Sequence, residues 1–204
     1  MPEIAAIILA AGRSQRMGAF KPLLPFGTKT VIESCIDSLE AGGVEQVVVV
    51  LGHRAAEVRR HLHHRKLTFA RNPDPDSEMS ASIACGIQEV SPDAKATLIA
   101  LVDHPAVPVE VVTELIEEWR KGARLIIPQF GERGGHPVLI DLALREELQR
   151  VDPARGLRAV FEAHQSEVCR LPVASPFVAR DMDTWEDYAR LHKDVFGKPP
   201  EPAK

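Results

Sequence analysis

The chain has 204 residues, 45% apolar and 26% charged, the balance of a soluble globular protein. With 25 basic against 29 acidic residues, the net charge of −4 argues against a general nucleic-acid surface. No apolar run approaches the roughly 20 residues of a membrane span. Ile4 to Ala11 has no basic residues ahead of it and reads as a strand, not a signal peptide. Cys35, Cys85 and Cys169 form no Cys-x-x-Cys pair and suggest neither a disulfide framework nor a zinc site. The expectation is a cytoplasmic protein with one domain over residues 1–197 and a flexible tail over 198–204.

Short apolar runs alternate with stretches of helical spacing. Ile4 to Leu9 is apolar throughout, as in a strand covered on both faces. A polar loop runs from Gly12 to Gly27. Val31, Cys35, Ile36 and Leu39 mark a helix over Thr30 to Ala41, stopped by Gly42 and Gly43. Val47 to Leu51 is a β-branched strand, followed by a helix over Arg54 to His64 and a short strand over Leu67 to Ala70. Two prolines make Asn72 to Asp76 a loop. A helix over Ser80 to Val90 has Ser80 as its expected N-cap.

Ala96 to Val102 is a strand ended by Asp103, His104 and Pro105. A helix over Val109 to Trp119, a strand over Leu125 to Pro128, a glycine-rich turn over Gly131 to Gly135 and a strand over Pro137 to Ile140 follow. Helices are expected around Leu142 to Arg150 and Gly156 to His164, a strand over Val168 to Val173, and a last helix over Thr184 to Lys193. This alternation implies a three-layer α/β fold with a mostly parallel sheet. Ligands in such sheets bind beyond the carboxyl ends of the strands, which draws attention to the loops after Leu9, Ala70 and Val102.

The first of these loops carries the strongest chemical signal. Ala10, Ala11 and Gly12 let the backbone approach a ligand closely, and successive N–H groups in such a turn form an anion-binding concavity. Arg13, Arg16 and Lys21 add positive charge with no acidic residue between them. Small backbone with clustered cations suits a triphosphate, although neither the Walker pattern nor the dinucleotide glycine pattern is present. A solvated basic loop is the plainer alternative.

Leu-Ala-Ala-Gly-x-Ser-x-Arg-Met-Gly-x-x-Lys, from Leu9 to Lys21, resembles the signature of the MobA-like nucleotidyltransferases. Four further segments resemble the same family in the same order. They are Glu78 to Ile83 with Gly86, Leu101 to Pro105, Arg133 to Val138, and Asp181 to Asp187. The subgroup resembled most closely is molybdenum cofactor cytidylyltransferase. His104 stands where Met or Gln is common in the family, Trp185 where Pro is, and Glu78 where Gly is.

The resemblance implies a Rossmann-like nucleotidyltransferase fold and transfer of a nucleotidyl group from a nucleoside triphosphate to a substrate phosphate, with pyrophosphate leaving. CTP is the implied donor and a molybdopterin-type cofactor the implied acceptor. An apo-molybdoenzyme or its chaperone is a further implied partner, and no membrane is expected. Mg2+ is the implied metal, with Mn2+ as the alternative.

Lys21, Arg13 and Asp103 become the expected catalytic residues. Leu9, Ala10, Ala11, Gly12, Arg13, Arg16, Lys21, Asn72, Ser80 and Ser82 are the expected nucleotide-binding set. Asp103 and Asp183 are the expected metal ligands, with Asp181 as the substitute for the second. Asp103 could instead be a turn residue, and Asp183 with Thr184 also reads as a helix N-cap supported by Glu186 and Asp187. Gly135 and His136 are expected at the acceptor, and the alternative for His136 is packing at the start of a strand. Ala11 in place of the glycine of guanylyl members would shrink the base pocket and favour a pyrimidine.

Transfer of another nucleotide or to a sugar or alditol phosphate, and non-catalytic carriage of a cofactor, remain the competing functions. His61, His63 and His64 do not share one helical face and are not expected to bind metal. Cys85 and Trp119 read as core.

Overall fold

The structure is a computed structural model describing residues 2–13, 16–74 and 77–200. Ser14 and Gln15 of the first motif, Pro75 and Asp76 of the loop after Ala70, and the tail residues from Glu201 lie outside the described residues.

Strand β1 (Ile4–Ala10) is the hub of the sheet. It pairs in parallel with β4 (Gln46–Leu51) on one side and β6 (Ala96–Leu101) on the other. A strand with two partners and a helical layer over each face sees no water, which explains its unbroken apolar run. Ile4, Ala6 and Ile8 pack towards α1 (Val31–Ala41), α4 (Val109–Arg120) and α7 (Trp185–Phe196). Ala5, Ile7 and Leu9 pack towards α3 (Met79–Glu89), α5 (Arg145–Gln149) and α6 (Leu157–Ala163). The three layers expected from the alternation are present.

Beyond β4 the sheet continues with β5 (Thr68–Arg71), after the short helix α2 (Ala55–His61). Beyond β6 come β9 (Val138–Asp141), β7 (Leu125–Phe130) and β10 (Val168–Pro172), with the two-residue β8 (Arg133–Gly134) on β7. β9 is antiparallel to both β6 and β7, while the other long strands run the same way. The turn at Gly131 causes the reversal. A short connection can return only an antiparallel strand, and Gly131 adopts the φ of 59° the turn needs. A small hairpin of β2 (Pro25–Phe26) and β3 (Lys29–Thr30) interrupts the loop expected over Gly12 to Gly27.

Local chemistry sets the helix ends. At α1 the Thr30 N–H donates to the Glu33 carboxylate at 2.8 Å, closing a capping box. At α7 the Thr184 hydroxyl accepts from the Asp187 N–H at 3.2 Å, as the N-cap alternative anticipated. The expectation for Ser80 is overturned. Helix α3 starts one residue earlier, Glu78 holds the extended N-cap position, and Ser80 is buried inside the first turn. The tail is anchored at its start, where the Lys198 carbonyl accepts from His192 Nδ1 at 2.7 Å.

Trp119 and Cys85 are half-buried rather than enclosed. The Trp119 indole donates to Asp141 at 2.9 Å, and Cys85 packs against the α3 side of the core. No described helix is long and apolar enough to cross a membrane.

Candidate active site

A cleft of about 270 Å³ opens at the carboxyl ends of β1 and β6. Leu9, Ala11 and Gly12 form one wall. Lys21 and Asp103 lie in the floor, and Asn72 and Ser82 close the side next to α3. Seven residues expected from the sequence thus meet in one place although they come from four separate segments. Pro22, Ser77, Met79, Leu101 and Val102 complete the lining. Ser77 and Met79 lie in the segment from Asn72 to Ser82 expected to meet the base but were not singled out individually, and Met79, inside the Glu78–Ile83 motif, places an exposed thioether at the lip.

Lys21 opens a single 3-10 turn, Lys21–Leu23, held by Leu24 N–H donating to the Lys21 carbonyl at 3.1 Å. Its side chain is only 10% exposed. Burying an ammonium is costly unless negative charge compensates it. Two carboxylates do so: Asp183 Oδ1 lies 2.8 Å from Lys21 Nζ, and Asp103 Oδ2 lies 3.7 Å from it. The other oxygen of Asp183 accepts from Arg16 Nη1 at 2.6 Å. The Lys21 ammonium, with Arg16 beside it, holds the Asp183 carboxyl below its ordinary range and outweighs partial burial.

Asp103 follows the end of β6. Its carbonyl accepts from the Met182 N–H at 3.1 Å, which fixes the Asp181–Asp183 segment over the cleft floor. Its Oδ1 is buried and has no hydrogen-bond partner among the described residues. Its other oxygen, Oδ2, is the one turned towards Lys21 and the cleft, where a carboxylate oxygen can take a hard cation. No described group of three or more His, Cys, Asp or Glu residues is arranged to hold a metal. Asp103 and Asp183 are two carboxylates at the cleft floor, a donor set that fits a divalent cation completing its shell with phosphate oxygens. Asp181 is exposed on the same segment.

Asn72 is a structural hub as well as a wall. It is buried, its Nδ2 donates to Ser77 at 2.8 Å and to Ser82 at 2.9 Å, and its Oδ1 accepts from the Asp74 N–H at 3.0 Å. Those bonds engage its amide in shaping the loop rather than facing a base. Gly52, at the end of β4, presses on the glycine loop. A Cβ there would meet the Ala11 carbonyl at 2.7 Å, so Gly52 permits the two backbones to pass closely.

The remaining expected residues do not line the cleft. The Ala10 side chain points into the core on the α1 side. Arg13 and Arg16 are exposed beside the loop, Arg16 with 78% of its side chain in solvent. Ser80 lies in the first turn of α3 without reaching the lining. Gly135 and His136, expected at the acceptor, are not among the residues that line this cleft. A Cβ on Gly135 would meet the Val178 carbonyl at 2.1 Å, and the His136 N–H donates to that carbonyl at 2.8 Å. The His136 ring packs edge-on to His104, with centroids 5.6 Å apart. Burial, aided by His104, pushes the His136 imidazole down to about 4, so it is neutral near pH 7. The packing alternative describes this residue.

A family model described as "MobA-like NTP transferase domain" matches residues 6–168. The chain belongs to this family. Its relatives within and around the family carry different activities. Nicotine blue oxidoreductase of Paenarthrobacter nicotinovorans is 30% identical over 200 residues, covering 94% of this chain and 97% of the relative. Molybdenum cofactor cytidylyltransferase of Escherichia coli K12 is 25% identical over 191 residues, covering 92% and 95%. Among solved structures, Rv0371c of Mycobacterium tuberculosis H37Rv superposes with a TM-score of 0.84 at 27% identity, covering 94% of this chain and 98% of that one. A manganese complex of Rv0371c superposes with a TM-score of 0.77. This MobA-like domain is thus an enzyme of the nucleotidyltransferase class, built on the Rossmann-like fold of its neighbours.

Proposed function

We propose that this protein transfers a cytidylyl group from CTP to the phosphate of a molybdopterin-type cofactor and releases pyrophosphate. The observation that carries the reading is the buried Lys21 ammonium flanked by Asp183 and Asp103 in the floor of the cleft beside Ala11 and Gly12. Charge at that point is what in-line displacement at phosphorus requires.

In this reading an acceptor phosphate oxygen attacks the α-phosphorus, the new P–O bond forms as the bond to pyrophosphate breaks, and the electron pair leaves with pyrophosphate. Lys21 neutralises the charge that builds on the α-phosphoryl oxygens. Arg13 and Arg16 hold the β- and γ-phosphates from the solvent side. Asp103 and Asp183 would hold Mg2+ or Mn2+, which would supply charge neutralisation across the phosphates. Ala11 narrows the base end of the cleft and favours a pyrimidine, and its role in selecting CTP rests on that one methyl.

Hand-over of the product to an apo-molybdoenzyme or its chaperone in the cytoplasm completes the reading. The 25% identity to the Escherichia coli cytidylyltransferase over almost the whole chain supports the choice of donor and acceptor.

A second reading, an oxidoreductase, rests on the 30% identity to nicotine blue oxidoreductase. The concentration of cations and carboxylates around one cleft favours phosphoryl chemistry over hydride transfer. The test is pyrophosphate release from each of the four nucleoside triphosphates with Mg2+ and molybdenum-loaded molybdopterin, beside a parallel assay for reduction of nicotine blue by a two-electron donor. Release with CTP alone supports the proposal. Release with GTP alone removes CTP from it, and reduction of nicotine blue without pyrophosphate release supports the second reading.

A further inference from the structure

Behind Asp103 lie polar atoms that nucleotidyl transfer does not use. His104 follows Asp103 and is 9% exposed. Its Nε2 is 3.8 Å from Asp103 Oδ1. His104 Nδ1 and Asp103 Oδ1 are both buried, and neither has a hydrogen-bond partner among the described residues. Buried polar atoms are seldom left so, and two neighbouring ones call for a common explanation.

A cavity of about 20 Å³ adjoins them, lined by His104, His136, Cys35 and Ser38 among apolar residues. One water needs about 10–15 Å³ and two or more polar partners. Ser38 donates its hydroxyl proton to the Val107 carbonyl at 2.7 Å, which leaves its oxygen able to accept from a water. His136 Nδ1 lies 3.3 Å from the Ile99 carbonyl and donates to it in the neutral ring, which leaves its Nε2 as an acceptor as well. The cavity therefore offers acceptors on several sides and suits a molecule with two protons to give.

We propose that His104 is a positioning residue for Asp103, with its Nε2–H directed at Asp103 Oδ1 and its Nδ1 accepting from a single internal water in the cavity between His104 and His136. The proposal rests on the reading of Asp103 as the carboxylate that serves the phosphates. The separation is roughly 0.6 Å beyond an ordinary N–H···O bond, and the proposal requires the two side chains to close it. The effect is to tether one oxygen of Asp103 at the back of the site. Oδ2 then stays turned towards Lys21 and the cleft. The edge-on contact with His136, itself anchored on Ile99 and Val178, keeps the His104 ring from turning.

The direct test is the tautomer of His104, read from the imidazole nitrogen signals of the 15N-labelled, metal-free protein above about pH 8, where a free imidazole is neutral. The expected form carries its proton on Nε2. A proton on Nδ1 overturns the proposal. The second test compares His104→Gln, which places an amide nitrogen where Nε2 lies, with His104→Met, which fills the space without a donor. Gln should keep kcat within about threefold of the parent. Met should lower kcat by about 10–100-fold with little change in the KM for CTP, and should weaken Mn2+ binding followed by electron paramagnetic resonance, the scale expected when a ligand loses its orienting partner. Equal kcat and equal Mn2+ affinity for Met and the parent would overturn the proposal. The tautomer is read without nucleotide or acceptor, so it stands or falls independently of which nucleotide is transferred.

Discussion

The Asp183 carboxylate lies 2.8 Å from the Lys21 ammonium, and its second oxygen lies 2.6 Å from Arg16. One side chain thus spans two of the cations that the sequence assigns to the triphosphate. It supplies from within the chain the negative charge that a phosphate would bring. In the proposed function, nucleotide binding would involve an exchange, in which Asp183 gives up Lys21 and Arg16 as the phosphates arrive and becomes free to face a cation.

That exchange separates binding from turnover in Asp183→Asn. Removing the charge should strengthen CTP binding in the absence of divalent metal by several-fold, because Lys21 and Arg16 lose their internal competitor. The same variant should lower kcat with Mg2+ by at least about tenfold. Calorimetric titration with and without Mg2+ checks both halves. Weaker metal-free binding would show that Asp183 supports the loop instead of competing with phosphate.

Lys21 should matter far more to rate than to binding. Lys21→Ala removes a buried charge aimed at the transferred phosphoryl group and should lower kcat by about 10²–10³, the cost of losing one preorganised transition-state donor. Steady-state kinetics at saturating nucleotide gives the number. A change in KM alone would assign Lys21 to ground-state binding.

The sequence exposes the parts of the site that are local and leaves out those made by long-range pairing. Leu9, Ala11, Gly12 and Asp103 are legible because they end or follow buried strands with unbroken apolar runs, and a parallel sheet brings such strand ends together. The bond from Asp183 to Lys21 joins residues 162 positions apart, and no periodicity reveals it. His136 looks like a substrate ligand in the sequence because the Arg133–Val138 segment resembles a family motif. The need for Gly135 comes instead from the Val178 carbonyl, contributed by a turn far along the chain. Ser80 looks like a cap because N-cap preference is local, yet Glu78 takes the position since burying Ser80 against the sheet shifts the helix start. The reversed strand β9 is legible only in retrospect, from the shortness of the turn at Gly131.

Ala11 lines the cleft and its carbonyl faces the close approach of Gly52. Ala11→Gly should enlarge the base end and raise kcat/KM for GTP relative to CTP, by up to about 10–200-fold, the range a single methyl(ene) commands. Competition between the two nucleotides in one assay measures the ratio. An unchanged ratio would remove Ala11 from base selection.

Acid should loosen the start of α1. Burial pushes the Glu33 carboxyl up, but hydrogen bonds from the Thr30 side chain and backbone and the neighbouring His61 outweigh it and bring it down to about 2. The folded value lies below the ordinary value of 4.5, so the contribution is fully present above pH 4.5 and is lost as pH falls through about 2. Glu33→Ala should cost about 1 kcal/mol at pH 7, the scale of a lost cap, and the difference should shrink as pH falls through about 2 and vanish only below it. Urea unfolding of both proteins across that range tests it, and a difference that persists undiminished at low pH would contradict it.

The most direct measurement uses CTP radiolabelled at the α-phosphate, Mg2+ and molybdenum-loaded molybdopterin, with the parent protein beside Asp103→Ala. Label should appear on the acceptor in step with pyrophosphate and should be lost in Asp103→Ala while the protein remains folded. Label left on CTP or on free CMP, or transfer that survives the loss of Asp103, would contradict cytidylyl transfer at this site.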